Sequence, residues 1–115
     1  MNIGLLQKLT LSNCQTWARP DDGMYWDNAQ NWCEALGFKP ALLADLGCNN
    51  LVLGTTCDTT ITTELQNEWK TGQYSHFWID RHEYPGGAYT LNLYLKRVSS
   101  DGKNAHQMYP LCFTP

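Results

Sequence analysis

Residues 24–37 read MYWDNAQNWCEALG, with Trp26, Ala29, Trp32, Cys33 and Leu36 falling on one stripe between polar positions. That spacing predicts an amphipathic helix, which Gly37 stops. Ile61, Leu65 and Trp69 repeat every four residues and predict a second helix over 60–70, with Thr62 or Thr63 as its cap. Elsewhere the period is two. Ile3, Leu5, Leu9 and Leu11 alternate as in an entering strand over 1–12, and Tyr89, Leu91, Leu93 and Leu95 alternate with Thr90, Asn92, Tyr94 and Lys96 as in a half-buried strand. The run Phe77-Trp78-Ile79 favours a strand, and 105–113 is expected to close the sheet as an antiparallel partner. Turns are predicted at 19–23, 84–87 and 99–102, and the apolar run 41–46 reads as a strand or a short helix. Two early helices followed by an antiparallel sheet predict an α+β fold in a single domain over 1–115, with the helices packed on a twisted sheet.

Five cysteines, Cys14, Cys33, Cys48, Cys57 and Cys112, change this picture. None forms a C-x-x-C pair or a zinc spacing, so an oxidising compartment and disulfides are expected. Cys48 and Cys57 flank NNLVLGTT, a loop whose closure would contribute about 2.5 kcal/mol. A bond from Cys33 to Cys112 would tie the first helix to the end of the chain and contribute about 4.5 kcal/mol on the same chain-entropy basis. Five choices of the odd thiol and three connectivities for the rest leave the pairing open. A net charge of −3 with no basic run excludes nucleic acid and an anionic membrane surface as partners. No apolar stretch is long enough to span a bilayer. The opening MNIGLLQK lacks the regions of a secretory signal, so export is expected to depend on a segment outside this sequence.

The densest set of titratable groups is Asp80, Arg81, His82, Glu83 and Tyr84, directly after the predicted Phe77-Trp78-Ile79 strand and before a Pro-Gly-Gly turn. Catalysis would need an acid, a base and a pocket, and a metal site would need Asp80, His82 and His106 to converge. The simpler readings are a solvated loop or a recognition loop, because Arg and Tyr are the residues that dominate protein interfaces. Asp80, Arg81, His82, Glu83, Tyr84 and Tyr89 are therefore the candidate binding residues, with no catalytic residue, metal or cofactor expected. Trp17, Trp26, Trp32 and Trp69 are expected in the core rather than as sugar-stacking platforms, and of these only Trp17, in a loop beside Arg19-Pro20, has a position open to exposure.

The segments WDNAQNWCEALG, ALLADL, TTELQNEW, FWID and MYPLCF stand in the order used by C-type-lectin-like domains, which the chain resembles over about 24–113. The resemblance implies a Cys33–Cys112 bond between helix and last strand, Trp78 as the core tryptophan, and tryptophans packed around that staple. With Met24-Tyr25-Trp26 opening the helix and a tyrosine and a cysteine in the last strand, the chain is similar to the C-terminal domains of intimin- and invasin-type bacterial adhesins. Those domains sit at the tip of an outer-membrane-anchored rod. The implied function is non-enzymatic binding of a host surface or extracellular protein by a monomeric tip domain that does not touch the membrane. The Glu-Pro-Asn, Gln-Pro-Asp and Trp-Asn-Asp tripeptides of calcium-dependent lectins are missing, so the alternative is a calcium-independent carbohydrate-binding module. Cys33 is followed by Glu-Ala-Leu-Gly-Phe-Lys rather than by the aspartate of integrin-binding relatives, which argues for a receptor other than an integrin.

Overall fold

The computed structural model describes residues 6–69 and 76–114, and residues 1–5 of the expected entering strand lie outside them. In chain order the elements are β1 (Leu6–Thr10), β2 (Thr16–Pro20), α1 (Trp26–Ala35), β3 (Lys39–Pro40), a 3-10 turn (Leu43–Leu46), α2 (Thr60–Trp69), β4 (His76–Tyr84), β5 (Gly87–Asn92), β6 (Arg97–Gly102) and β7 (Cys112–Thr114). The α+β class expected from the sequence is present, but the strands form two antiparallel sheets, in the orders β1-β2-β7-β3 and β4-β5-β6. The last strand does not close the second sheet. β7 pairs Thr114 with Thr16 and Cys112 with Ala18 on one side, and Phe113 with Lys39 on the other.

Alternation in β7 explains how the layers are fixed. Phe113 turns into the main core, where its ring stacks on Trp17 at 4.8 Å, and Cys112 turns the opposite way, toward α1. There it is bonded to Cys33, with 5.6 Å between the Cα atoms, among Ala18 and Trp32. Trp26 and Ala29 continue the same helical stripe onto Trp78 and Ala88 of the second sheet. α1 thus bridges the two sheets, which is why its buried side carries both tryptophans and the cysteine. Gly37, at φ +80°, ends the helix, and Phe38 N–H donates back to the Cys33 carbonyl at 3.0 Å.

The main core lies between the sheets and beneath α2, with Phe77, Ile79, Leu91, Leu93, Val98 and Leu111 buried against Leu46 and Leu65. Trp69 is half-buried against it. Cys48 and Cys57 are bonded, and Cys14 is a free, exposed thiol in the β1–β2 turn. Among the described residues no helix is long and apolar enough to cross a membrane.

Four local expectations are corrected. Trp17 is in the core as expected but stands in β2 rather than in a loop, and Arg19, also buried, places its guanidinium 4.4 Å from the Tyr109 ring, so only 21–23 remain of the expected turn. The cap of α2 is Thr59, whose hydroxyl accepts from Thr62 N–H at 3.2 Å while its own N–H donates to Thr62 Oγ1 at 2.9 Å. Residues 99–102 extend along β5 instead of turning, with Ser100 opposite Tyr89 and Gly102 opposite Gly87. The chain reverses earlier, at 93–96, where Asn92 Oδ1 accepts from Leu95 N–H at 3.1 Å and Lys96 takes φ +54°.

Candidate recognition site at the β4–β5 hairpin

β4 begins as a buried strand and ends as an exposed one: Phe77, Trp78 and Ile79 are enclosed, while Asp80, Arg81, His82 and Tyr84 are exposed and Glu83 is half-buried. The titratable cluster is therefore not a free loop but the outer half of a strand. Trp78 pairs with Thr90 and His82 with Ala88, so β4 spends two more residues than β5 between those points and bulges. The bulge is held from the other side. Trp26 Nε1 donates to the Ile79 carbonyl at 3.0 Å, and Asp80 N–H donates to the Ala41 carbonyl at 2.9 Å.

The bulge distributes the expected binding residues over different surroundings. Arg81 lies with Ile79 over a hollow of about 130 Å³ floored by Leu42, Leu43, Cys48 and Leu51. His82 lies on the α1 side, its ring 4.9 Å from that of Trp26 and its Nδ1 in contact with Lys103 Nζ. Asp80 feels Glu34 and Lys39 as well as His82; partial burial first, and the Glu34 carboxylate second, raise its pKa above the usual 3.8. Tyr84 lays its ring over the turn, so close to Gly87 that a Cβ there would come within 2.5 Å of it, which accounts for the glycine. Tyr89 is half-buried against the main core and belongs to the floor of the sheet rather than to its tip.

Sequence reasoning missed a second concavity of about 440 Å³, lined by Gly23, His76, Asp101, His106, Gln107, Met108 and Tyr109. The segment before β7 builds it. Met24 and Met108 exchange backbone hydrogen bonds at 2.8 and 3.0 Å, and Tyr109 N–H donates to the His76 carbonyl at 3.1 Å. His106 Nδ1 pairs with Asp101 Oδ2 at 2.7 Å. Burial lowers the pKa of His76 below its ordinary 6.5, with Asp101 pulling the other way. The Asp80, His82 and His106 convergence considered for a metal does not occur: His82 meets Lys103 and His106 meets Asp101. Among the described residues no three His, Cys, Asp or Glu side chains are placed to hold a metal ion. Nothing in the linear sequence marks His76 or Lys103 as neighbours of these groups, since the His76–Tyr109 and Lys103–His82 contacts cross between elements far apart in the chain, whereas His106 meets Asp101 only five residues away.

Compared with models of known protein families and with curated proteins, the chain matches none.

Proposed function

We propose that this chain is a non-enzymatic recognition domain of the C-type-lectin-like class, of the kind that tips intimin- and invasin-type adhesins at the bacterial surface, and that it binds a host surface protein. The carrying observation is the β4–β5 hairpin: exposed Arg81, His82 and Tyr84 stand on a strand whose Phe77, Trp78 and Ile79 are fully enclosed. A binding surface on so rigid a base loses little conformational entropy on association, and Arg and Tyr are the side chains best suited to dominate it. The Cys33–Cys112 staple between the first helix and the last strand, with Trp78 in the core, supports the fold assignment. The two disulfides favour an extracellular site of action.

The polar concavity at His76, Asp101, His106 and Tyr109 favours a second reading, a calcium-independent carbohydrate module, because its volume is in the range of small-molecule sites. Binding of the purified domain to cultured epithelial cells separates the two. Protease treatment of the cells abolishes attachment and glycosidase treatment spares it on the protein reading. The reverse pattern, together with reproducible binding of one sugar family on a glycan array, would replace it with the carbohydrate reading.

A further inference from the structure

Lys103 is only 8% exposed, an unusual state for a side chain that ordinarily carries its charge to water. Its backbone is clamped on both sides. Lys103 N–H donates to the Gly86 carbonyl at 2.9 Å, and its own carbonyl accepts from Trp26 N–H at 3.2 Å. The side chain runs back beneath the hairpin, so that Nζ stands 4.4 Å from the centre of the Trp26 ring and touches His82 Nδ1. Among the described residues the ion pairs are Lys96 with Asp58 and His106 with Asp101, and no carboxylate reaches Lys103. A cation removed from water without a counter-ion is destabilising, and a ring face offsets only part of that. A neutral imidazole supplies a lone pair but no charge.

We propose that Lys103 is the receptor for one acidic side chain of the partner protein, whose carboxylate displaces the His82 imidazole and pairs with Nζ against the face of Trp26. This rests on the reading of the hairpin as a protein-binding surface. His82 is exposed and its ring lies outermost, tilted 46° to that of Trp26, so it can swing aside without disturbing the core. Both the imidazole and a carboxylate accept a bond from the ammonium, but only the carboxylate brings the opposite charge that makes the contact an ion pair. Asp80, which faces His82, repels a multiply charged chain more strongly than it repels a single aspartate or glutamate, and so favours the latter over a phosphate-rich partner. Tyr84, over the turn of the same hairpin, is suited to the flanking peptide, and Arg81, on the other side of the bulge, to a more distant part of the partner.

The test is an NMR titration of the ¹⁵N-labelled domain with the capped tripeptide Gly-Asp-Gly and, separately, with Gly-Asn-Gly. The Asp peptide shifts the Trp26 indole and Lys103 amide signals and saturates, whereas the Asn peptide binds at least about tenfold more weakly. Lys103→Met removes the response and Lys103→Arg restores it. His82→Ala, which removes the competing group and does not touch the folding of Lys103, tightens binding of the Asp peptide. Equal responses to the two peptides, or no response in both the parent and His82→Ala, overturn the proposal. If the Asp peptide fails while Arg81→Ala and Tyr84→Ala still abolish attachment to cells, only the acidic-residue assignment falls; if those variants attach normally, the hairpin reading falls as well.

Discussion

Trp78→Ala should remove a large part of the domain's stability, and the structure fixes how much. Trp78 is 1% exposed and packs against Trp26, Ala29 and Ala88, where the first helix meets the second sheet. Truncating such a ring leaves a cavity and costs about 3 to 5 kcal/mol. The indole N–H also donates to the Met24 carbonyl at 2.8 Å, but that carbonyl accepts from Met108 N–H at 3.0 Å as well, so it is not orphaned. Losing the indole bond therefore adds no more than the net value of an ordinary hydrogen bond, about 1 kcal/mol. Against a typical domain stability of about 5 to 15 kcal/mol, the total approaches global unfolding. Urea titration followed by far-ultraviolet circular dichroism, under non-reducing conditions, should show the midpoint fall by about 2 M at a slope of about 2 kcal/mol per M. Trp78→Phe, which keeps a ring and loses the N–H, should fall by less than half as much. A Trp78→Ala midpoint within about 0.5 M of the parent, at an unchanged slope, would refute the account of how the helix and the hairpin are joined.

Peptide mapping of the non-reduced protein should find Cys33–Cys112 and Cys48–Cys57 with Cys14 alkylatable, and a Cys14 bond would contradict the fold. With sequence separations of 79 and 9, removing the first bond as a double alanine variant should cost about 4.5 kcal/mol and removing the second about 2.5, so the reverse order would count against the chain-entropy argument. Because burial holds the pKa of His76 below 6.5, the unfolded chain takes up the proton first as the pH falls; the stability is full above pH 6.5 and declines as the pH drops from there through the folded value. His76→Gln should flatten that decline between pH 6.5 and the acid side, and an unchanged pH profile of urea midpoints would exclude His76 as its source. Gly87→Ala should push the Tyr84 ring aside and change its NMR signals while altering stability by less than about 1 kcal/mol, since the ring is exposed and free to move. Unmoved Tyr84 signals would show that the ring does not cover the turn.

The parts of the fold written in local periodicity were legible. The α1 stripe marked Trp26, Ala29, Trp32 and Cys33 as buried, and the Pro-Gly step after Tyr84 marked the hairpin turn. What escaped was decided by partners distant in sequence. The strand that carries Trp17 was hidden by its turn-like neighbours, and it is the pairing on both sides of β2, with Phe113 stacked on the ring, that makes it a strand. Ser99 to Gly102 has turn composition but is held straight by β5, and the actual reversal depends on an Asn92 side-chain bond that composition alone does not single out. For the site, the sequence located the exposed cluster but not the β4 bulge that turns Arg81 and His82 to different sides. Lys103 was invisible because its burial depends on Trp26 and Gly86, which only the fold brings to it.

The central claim is that the hairpin tip is the contact surface, and attachment of fluorescently labelled domain to cultured epithelial cells tests it most directly. Arg81→Ala and Tyr84→Ala should each weaken attachment by about tenfold or more at unchanged melting temperature, as interface residues worth about 1 to 4 kcal/mol do. Lys8→Ala, on the exposed β1 strand of the other sheet, should attach like the parent. Normal attachment by both hairpin variants, at parental stability, would contradict the claim.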